Sequence, residues 1–154
     1  MNDNEFEFEF DEWDESNLKQ LLHILQNNSD LKLTLSYKDE QTMSSRITNL
    51  LAKMGVPANL KGYAYLRMAI TICVEDHDEL AGITKNLYPK IAHFYATSPE
   101  KVEHAMRHAI TKAWTYEDKS MHKYLFGRTI GKKSKPTNSA FIATLIDYLT
   151  LNNV

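Results

Sequence analysis

Two histidines, His104 and His108, stand four residues apart in the string His104-Ala105-Met106-Arg107-His108. On a helix that spacing puts both imidazoles on one face, where they could hold a metal ion. The string resembles the HExxH signature of zinc proteases. However, Ala105 replaces the glutamate that would act as base, and no third ligand is evident. The plainer reading is two surface histidines and no metal. Their neighbours offer other chemistry. Arg107 can donate two parallel hydrogen bonds to guanine N7 and O6, and Lys101 can reach a base or a phosphate. Glu103 can accept from cytosine N4, and His104 and His108 can bond a base or a phosphate. A mixed face of this kind suits base reading in double-stranded DNA; a purely basic stripe would give only sequence-blind affinity. RNA fits less well, because no aromatic platform lies on this face.

The other chemistry-bearing residues sort quickly. Arg128, Lys132, Lys133 and Lys135 surround Gly131 in a loop or short hairpin that could hold the DNA backbone, and Glu100 and Thr111, on the polar face that has Lys101 and Glu103 at its margins, are assigned to the backbone as well. The run Glu75-Asp76-His77-Asp78-Glu79 has adjacent acids whose side chains diverge on a helix, so it reads as a solvated helix end or loop. Cys73 lies in the apolar run from Ala69 to Val74 and reads as a buried, inert thiol. One cysteine cannot form an intrachain disulfide, so nothing points to secretion. The five glycines are scattered, with no phosphate-cradling loop, and no nucleophilic triad is suggested by spacing. An enzyme is not expected, nor is a cofactor.

The elements that must position this face are legible from periodicity. Val102, Ala105, Met106, Ala109, Ile110, Ala113 and Trp114 form one apolar stripe, which predicts a helix over 99–114 with the polar residues opposite. Its start has two readings one residue apart: Ser98 as N-cap before Pro99, or a capping box over Thr97-Ser98-Pro99-Glu100. Ile83, Leu87, Ile91, Ala92 and Tyr95 predict a preceding helix, with Pro89 tolerated only in its first turn. Two helices joined by so short a turn form a helix-turn-helix pattern. Ile47, Leu50, Leu51 and Met54 mark a helix from Ser44 that stops at Gly55. Residues 63–74 are apolar nearly all round, as befits a central helix. Met121 to Phe126 predicts a short helix, and Pro136-Thr137-Asn138-Ser139 caps a last one whose Phe141, Ile142, Leu145, Ile146 and Leu149 face inward.

At 154 residues and 43% hydrophobic, the chain fits one domain with an appendage. Residues 1–15 hold eight acids and no base, leaving 12 acidic and 18 basic residues after them, a balance of +6. A mildly basic body with an acidic head suits a nucleic-acid binder. The charge density of residues 1–15 predicts a disordered or partner-dependent arm, although Phe6, Phe8 and Phe10 at period two permit an edge strand. Residues 16–27 read as a short amphipathic helix. Residues 31–37 alternate like a strand, which could pair with 5–10 in a small hairpin-like or β-added appendage. The natural boundary lies near residues 38–44, dividing an acidic appendage over 1–43 from a helical domain over 44–154. The acidic N-terminus is no signal peptide, and no apolar run approaches the ~20 residues that span a bilayer. The expectation is a cytoplasmic chain without a membrane partner.

Several longer strings are specific. The run from Gly55 to Arg67 (GVPANLKGYAYLR), Ile83-Thr84-Lys85-Asn86-Leu87-Tyr88-Pro89, the helix around Val102-Glu103 and Ala105-Met106-Arg107-His108-Ala109-Ile110 with Trp114, Leu125-Phe126-Gly127, and Lys135-Pro136-Thr137-Asn138-Ser139 before Phe141-Ile142-Ala143 follow one another in order. Over roughly residues 46–151 the chain resembles the C-terminal effector domain of the stage-zero sporulation response regulators, which start endospore formation. The resemblance implies an all-α, compact six-helix bundle containing a helix-turn-helix, carrying here a short acidic, partly disordered N-terminal appendage. It implies a transcription regulator that reads a promoter box in double-stranded DNA, often as a tandem dimer, with Lys101, Glu103, Arg107 and His108 at the DNA-facing positions. Three departures bear on function. His104 stands where the family usually has arginine, which bears on the base sequence read. Residues 115–124 do not follow the family pattern in the region that meets the RNA polymerase sigma subunit. The 43 residues before Ser44 are too few for a receiver domain, so receiver phosphorylation is not expected to be the switch. The alternative is an interaction module that has lost DNA reading and acts on the sigma subunit or on the full-length regulator.

Overall fold

The structure, a computed structural model, describes residues 5–10, 15–27, 32–37, 42–127 and 135–152. Contacts divide the chain into two compact units, Met1–Gln41 and Thr42–Val154. In the first, β1 (Glu5–Phe10) and β2 (Lys32–Tyr37) pair in parallel, Glu5 opposite Lys32 and Phe10 opposite Tyr37, with α1 (Glu15–Asn27) between them in sequence. Residues 5–10 are thus a strand rather than part of a disordered arm. The pairing is also not a hairpin: parallel strands need a crossover, and α1 supplies it. Leu21 is the buried position of α1, whereas Leu18, Leu22 and Leu25 are exposed.

The regular structure among the second unit's described residues is helical: α2 (Met43–Lys53), α3 (Lys61–Glu75), α4 (Tyr88–Phe94), α5 (Pro99–Ala113), α6 (Ser120–Phe126) and α7 (Asn138–Leu151). All six contribute to one core, built on Ile47, Leu51, Leu66, Ile70, Ile91, Met106, Ile110, Phe141 and Leu145 among others. α3 packs against α2, α5 and α7, as its nearly all-round apolarity requires. Each end has a local cause. Thr42 caps α2 by accepting from Ser45 N at 3.2 Å. Gly55 ends that helix at φ +74°, while Val56 N donates back to Leu51 O at 3.0 Å and Gly55 N to Ala52 O at 2.9 Å. This is the left-handed stop that glycine favours.

Between α3 and α4 the chain winds as a six-residue 3₁₀ segment, His77–Gly82, then as a π turn, Ile83–Leu87. α4 is therefore short, and Pro89 sits in its first turn, where no amide donor is needed. The acidic run is not wholly solvated: the Glu79 side chain is largely buried and paired with Lys90. Cys73 is fully buried, and burial pushes its thiol up to about 11, so it is inert at neutral pH. No helix among the described residues is long and apolar enough to cross a membrane.

Candidate nucleic-acid interface

α5 presents two faces because its apolar residues recur every three or four positions. Val102, Met106, Ala109, Ile110 and Ala113 are buried, while Glu100, Lys101, His104, Arg107 and His108 are exposed. At 100° per residue the free arc runs in the order Glu103, Arg107, Glu100, Thr111, His104, His108, Lys101, so His104 and Thr111 stand near its middle. Ser98 is the N-cap, its hydroxyl accepting from Lys101 N at 3.3 Å, and Pro99 follows at N1. Of the two readings of this helix start, the structure takes Ser98-Pro99.

Three anchors seat the helix. In front, α4 ends at Tyr95, and Ala96 adopts φ +52°, with Thr97 N bonded to Ala92 O at 2.9 Å and Ala96 N to His93 O at 3.3 Å. This is again a left-handed helix stop, but alanine rather than glycine carries it, at some cost in backbone energy. Beneath, Gly62 of α3 meets the α5 backbone. A Cβ there would lie 2.6 Å from the Ala105 carbonyl carbon and 2.8 Å from Ala109 Cβ. To one side, the buried Asn138 at the start of α7 donates from Nδ2 to Tyr88 Oη at 3.0 Å and to the Glu103 carbonyl at 3.1 Å, tying α4, α5 and α7 together. Burial raises the pKa of the Tyr88 hydroxyl, partly opposed by the Asn138 bond. Asn138 and Tyr88 appear in the sequence only as parts of longer strings; nothing in their spacing marks them as tethers.

On the Glu103 flank, Arg107 is held from both sides. Its Nη2 lies 2.9 Å from His104 Nδ1, and its Nε lies 3.6 Å from Glu103 Oε1. Thr111 donates to the Arg107 carbonyl at 2.8 Å and accepts from Lys135 Nζ at 2.5 Å. Lys135 therefore belongs to the same surface as the polar arc of α5. Arg128, Lys132 and Lys133 lie outside the described residues. Glu100 is exposed near the helix start, but an ionised carboxylate has no donor for a phosphate; only its backbone amide could serve. On the other flank, Lys61 and Tyr65 of α3 join Thr97, Glu100, Lys101, His104, Ala105 and His108 around a concavity of about 540 Å³. Lys61 was not among the candidates from sequence; only the fold brings α3 beside α5. No group of three or more metal-ligating side chains assembles among the described residues.

Residues 47–149 match the family model described as sporulation initiation factor Spo0A C terminal. The chain belongs to that family. It is thus a sporulation-initiation effector domain, of a family of DNA-binding transcription regulators and not of enzymes. The matched span covers α3, α4, α5 and α6 entirely and most of α2 and α7. The charge division suits a Spo0A-type domain that meets phosphate: Thr42–Val154 carries 15 basic and 9 acidic residues, a balance of +6, against 3 and 11, or −8, in Met1–Gln41.

Proposed function

We propose that this chain reads a promoter box in double-stranded DNA by laying α5 in the major groove, with α4 and α5 serving as a helix-turn-helix. Lys101, Glu103, His104, Arg107 and His108 face base edges. Lys135, seated by its bond to Thr111, the amide of Glu100 and the basic residues Arg128, Lys132 and Lys133 hold phosphates; the Thr111 hydroxyl is committed to the Arg107 carbonyl and has no donor left for one. The observation that carries the reading is the free arc of α5: its donors and acceptors stay on the outside while its seat is fixed by Gly62, Asn138 and the Ala96 turn. Selection from a pool of randomised duplexes, followed by mobility shift at fixed salt, tests it. The wild type should enrich a defined box, and Arg107→Ala should lose about tenfold or more in affinity for it. An Arg107→Ala chain that binds the enriched box as well as wild type refutes the assignment.

A second reading concerns the sigma subunit. Tyr124 of α6 is 72% exposed and Tyr116 just before it 43%. Large exposed aromatics of this kind suit a protein contact. Tyr124→Ala should lower promoter activation in a reconstituted transcription assay without changing DNA affinity; unchanged activation removes the reading.

A further inference from the structure

His104 occupies the middle of the exposed arc and is already engaged on one side. Its Nδ1 lies 2.9 Å from Arg107 Nη2. A guanidinium has donors and no acceptor, so the imidazole nitrogen in that pair must be the acceptor. A neutral imidazole that accepts at Nδ1 carries its proton at Nε2. The ring then presents a single N–H outward and no lone pair.

From this we infer that His104 is a donor-only base reader, its tautomer set by Arg107, and that it discriminates against cytosine at the position it meets. The inference rests on the DNA-reading function proposed above. In the major groove guanine offers N7 and O6, adenine N7 and thymine O4 as acceptors, whereas cytosine offers only its N4 amino donor. An outward Nε2–H can bond any of the first three and meets only a second donor on cytosine. The groups around the ring on its own helix are Glu100, Lys101, Arg107 and His108, and those from α3 are Lys61 and Tyr65. The Arg107 fork is fixed by the same contact, with Glu103 bracing it from the other side at 3.6 Å. Arg107 and His104 therefore read two neighbouring base edges as one unit, the Arg107 donor setting which His104 nitrogen carries the proton. An arginine at position 104 would instead repel Arg107 and would present several donors.

Two measurements on the full chain test this. In the free protein, long-range nitrogen–proton NMR of His104 should show a protonated Nε2 and a bare Nδ1. Arg107→Ala should let the two tautomers mix; a proton on Nδ1 in the wild type overturns the inference. In the duplex selection, one position of the enriched box should exclude cytosine, and, with adenine there, its replacement by 7-deaza-adenine should weaken wild-type binding about three- to tenfold. His104→Ala should tolerate both changes while still enriching the rest of the box. His104→Gln, whose amide can turn its oxygen outward, should admit cytosine. If His104→Ala keeps the full wild-type preference, the donor-only reading fails while DNA reading stands. If the wild type enriches no box at all, DNA reading itself fails and this inference with it.

Discussion

Gly62→Ala isolates the seat of α5. The substitution adds one methyl group at the second residue of α3, where helix propensity alone would favour alanine by about 0.5–1 kcal/mol. The structure reverses that sign. The new Cβ would lie 2.6 Å from the Ala105 carbonyl carbon and closer still to its oxygen, against an ordinary carbon–carbon separation of roughly 3.5–4.0 Å. The obstacle is backbone, so no side chain can swing away. α5 must move by about 1 Å, and overpacking of this kind costs about 1–3 kcal/mol. The cost at the seat exceeds the gain in propensity, and the net loss should be about 1–2 kcal/mol, or roughly 5–10 °C in melting temperature. Urea unfolding followed by circular dichroism measures it, with Ala109→Gly as a second-site partner. Ala109→Gly removes the methyl 2.8 Å away but leaves the Ala105 carbonyl in place, so it should not restore stability. A Gly62→Ala chain at least as stable as wild type, or full rescue by Ala109→Gly, refutes the close backbone approach.

Other perturbations test the remaining anchors. Ala96→Gly should stabilise the chain by up to about 1 kcal/mol in urea unfolding, because it relieves a left-handed alanine; a destabilised variant contradicts the turn. Asn138→Ala strands the Tyr88 hydroxyl and the Glu103 carbonyl and should cost about 2–3 kcal/mol, whereas Tyr88→Phe should cost about 1 kcal/mol; equal effects would deny Asn138 its double role. His122 is buried, donates from Nε2 to the Ala113 carbonyl at 3.0 Å and leaves Nδ1 without a partner. Burial holds its pKa below the usual imidazole value, so the unfolded chain takes up the proton first. Stability should be intact above about pH 6.5 and fall as pH drops below it; a His122→Phe chain with the same acid slope would assign that slope elsewhere.

How much of this was legible in the residues depends on the range of the interaction. The apolar stripe of α5, the Ser98-Pro99 start and the Gly55 stop are local, and all three stand in the structure. The inward face of α7 also follows from its spacing, since Phe141, Ile142, Leu145, Ile146 and Leu149 are all buried. What periodicity could not show is which element a polar side chain meets. Asn138 bonds Tyr88 fifty positions away in the chain, and Lys61 reaches the exposed face of α5 only because α3 packs against α5. Local pattern also misjudged β1, where charge density argued for disorder while pairing with β2 supplied the missing hydrogen bonds. The 3₁₀ and π windings before α4 carry no sequence signal that separates them from an ordinary helix, so the first helix of the pair came out longer than it is.

The contact between Gly62 and the α5 backbone has a thermodynamic corollary. A helix held at carbonyl distance cannot tilt or slide to follow a groove, so its ordering cost is met when the chain folds and not when DNA arrives. Under the proposed docking of α5 in the major groove, groove and helix must then be matched by bending or twisting the DNA, whose stiffness depends on the base steps beside those touched. Calorimetry should accordingly find a heat-capacity change no larger than the buried interface explains, without the excess of a coupled folding event. Flexible pyrimidine–purine steps flanking the box should raise affinity although no side chain contacts them.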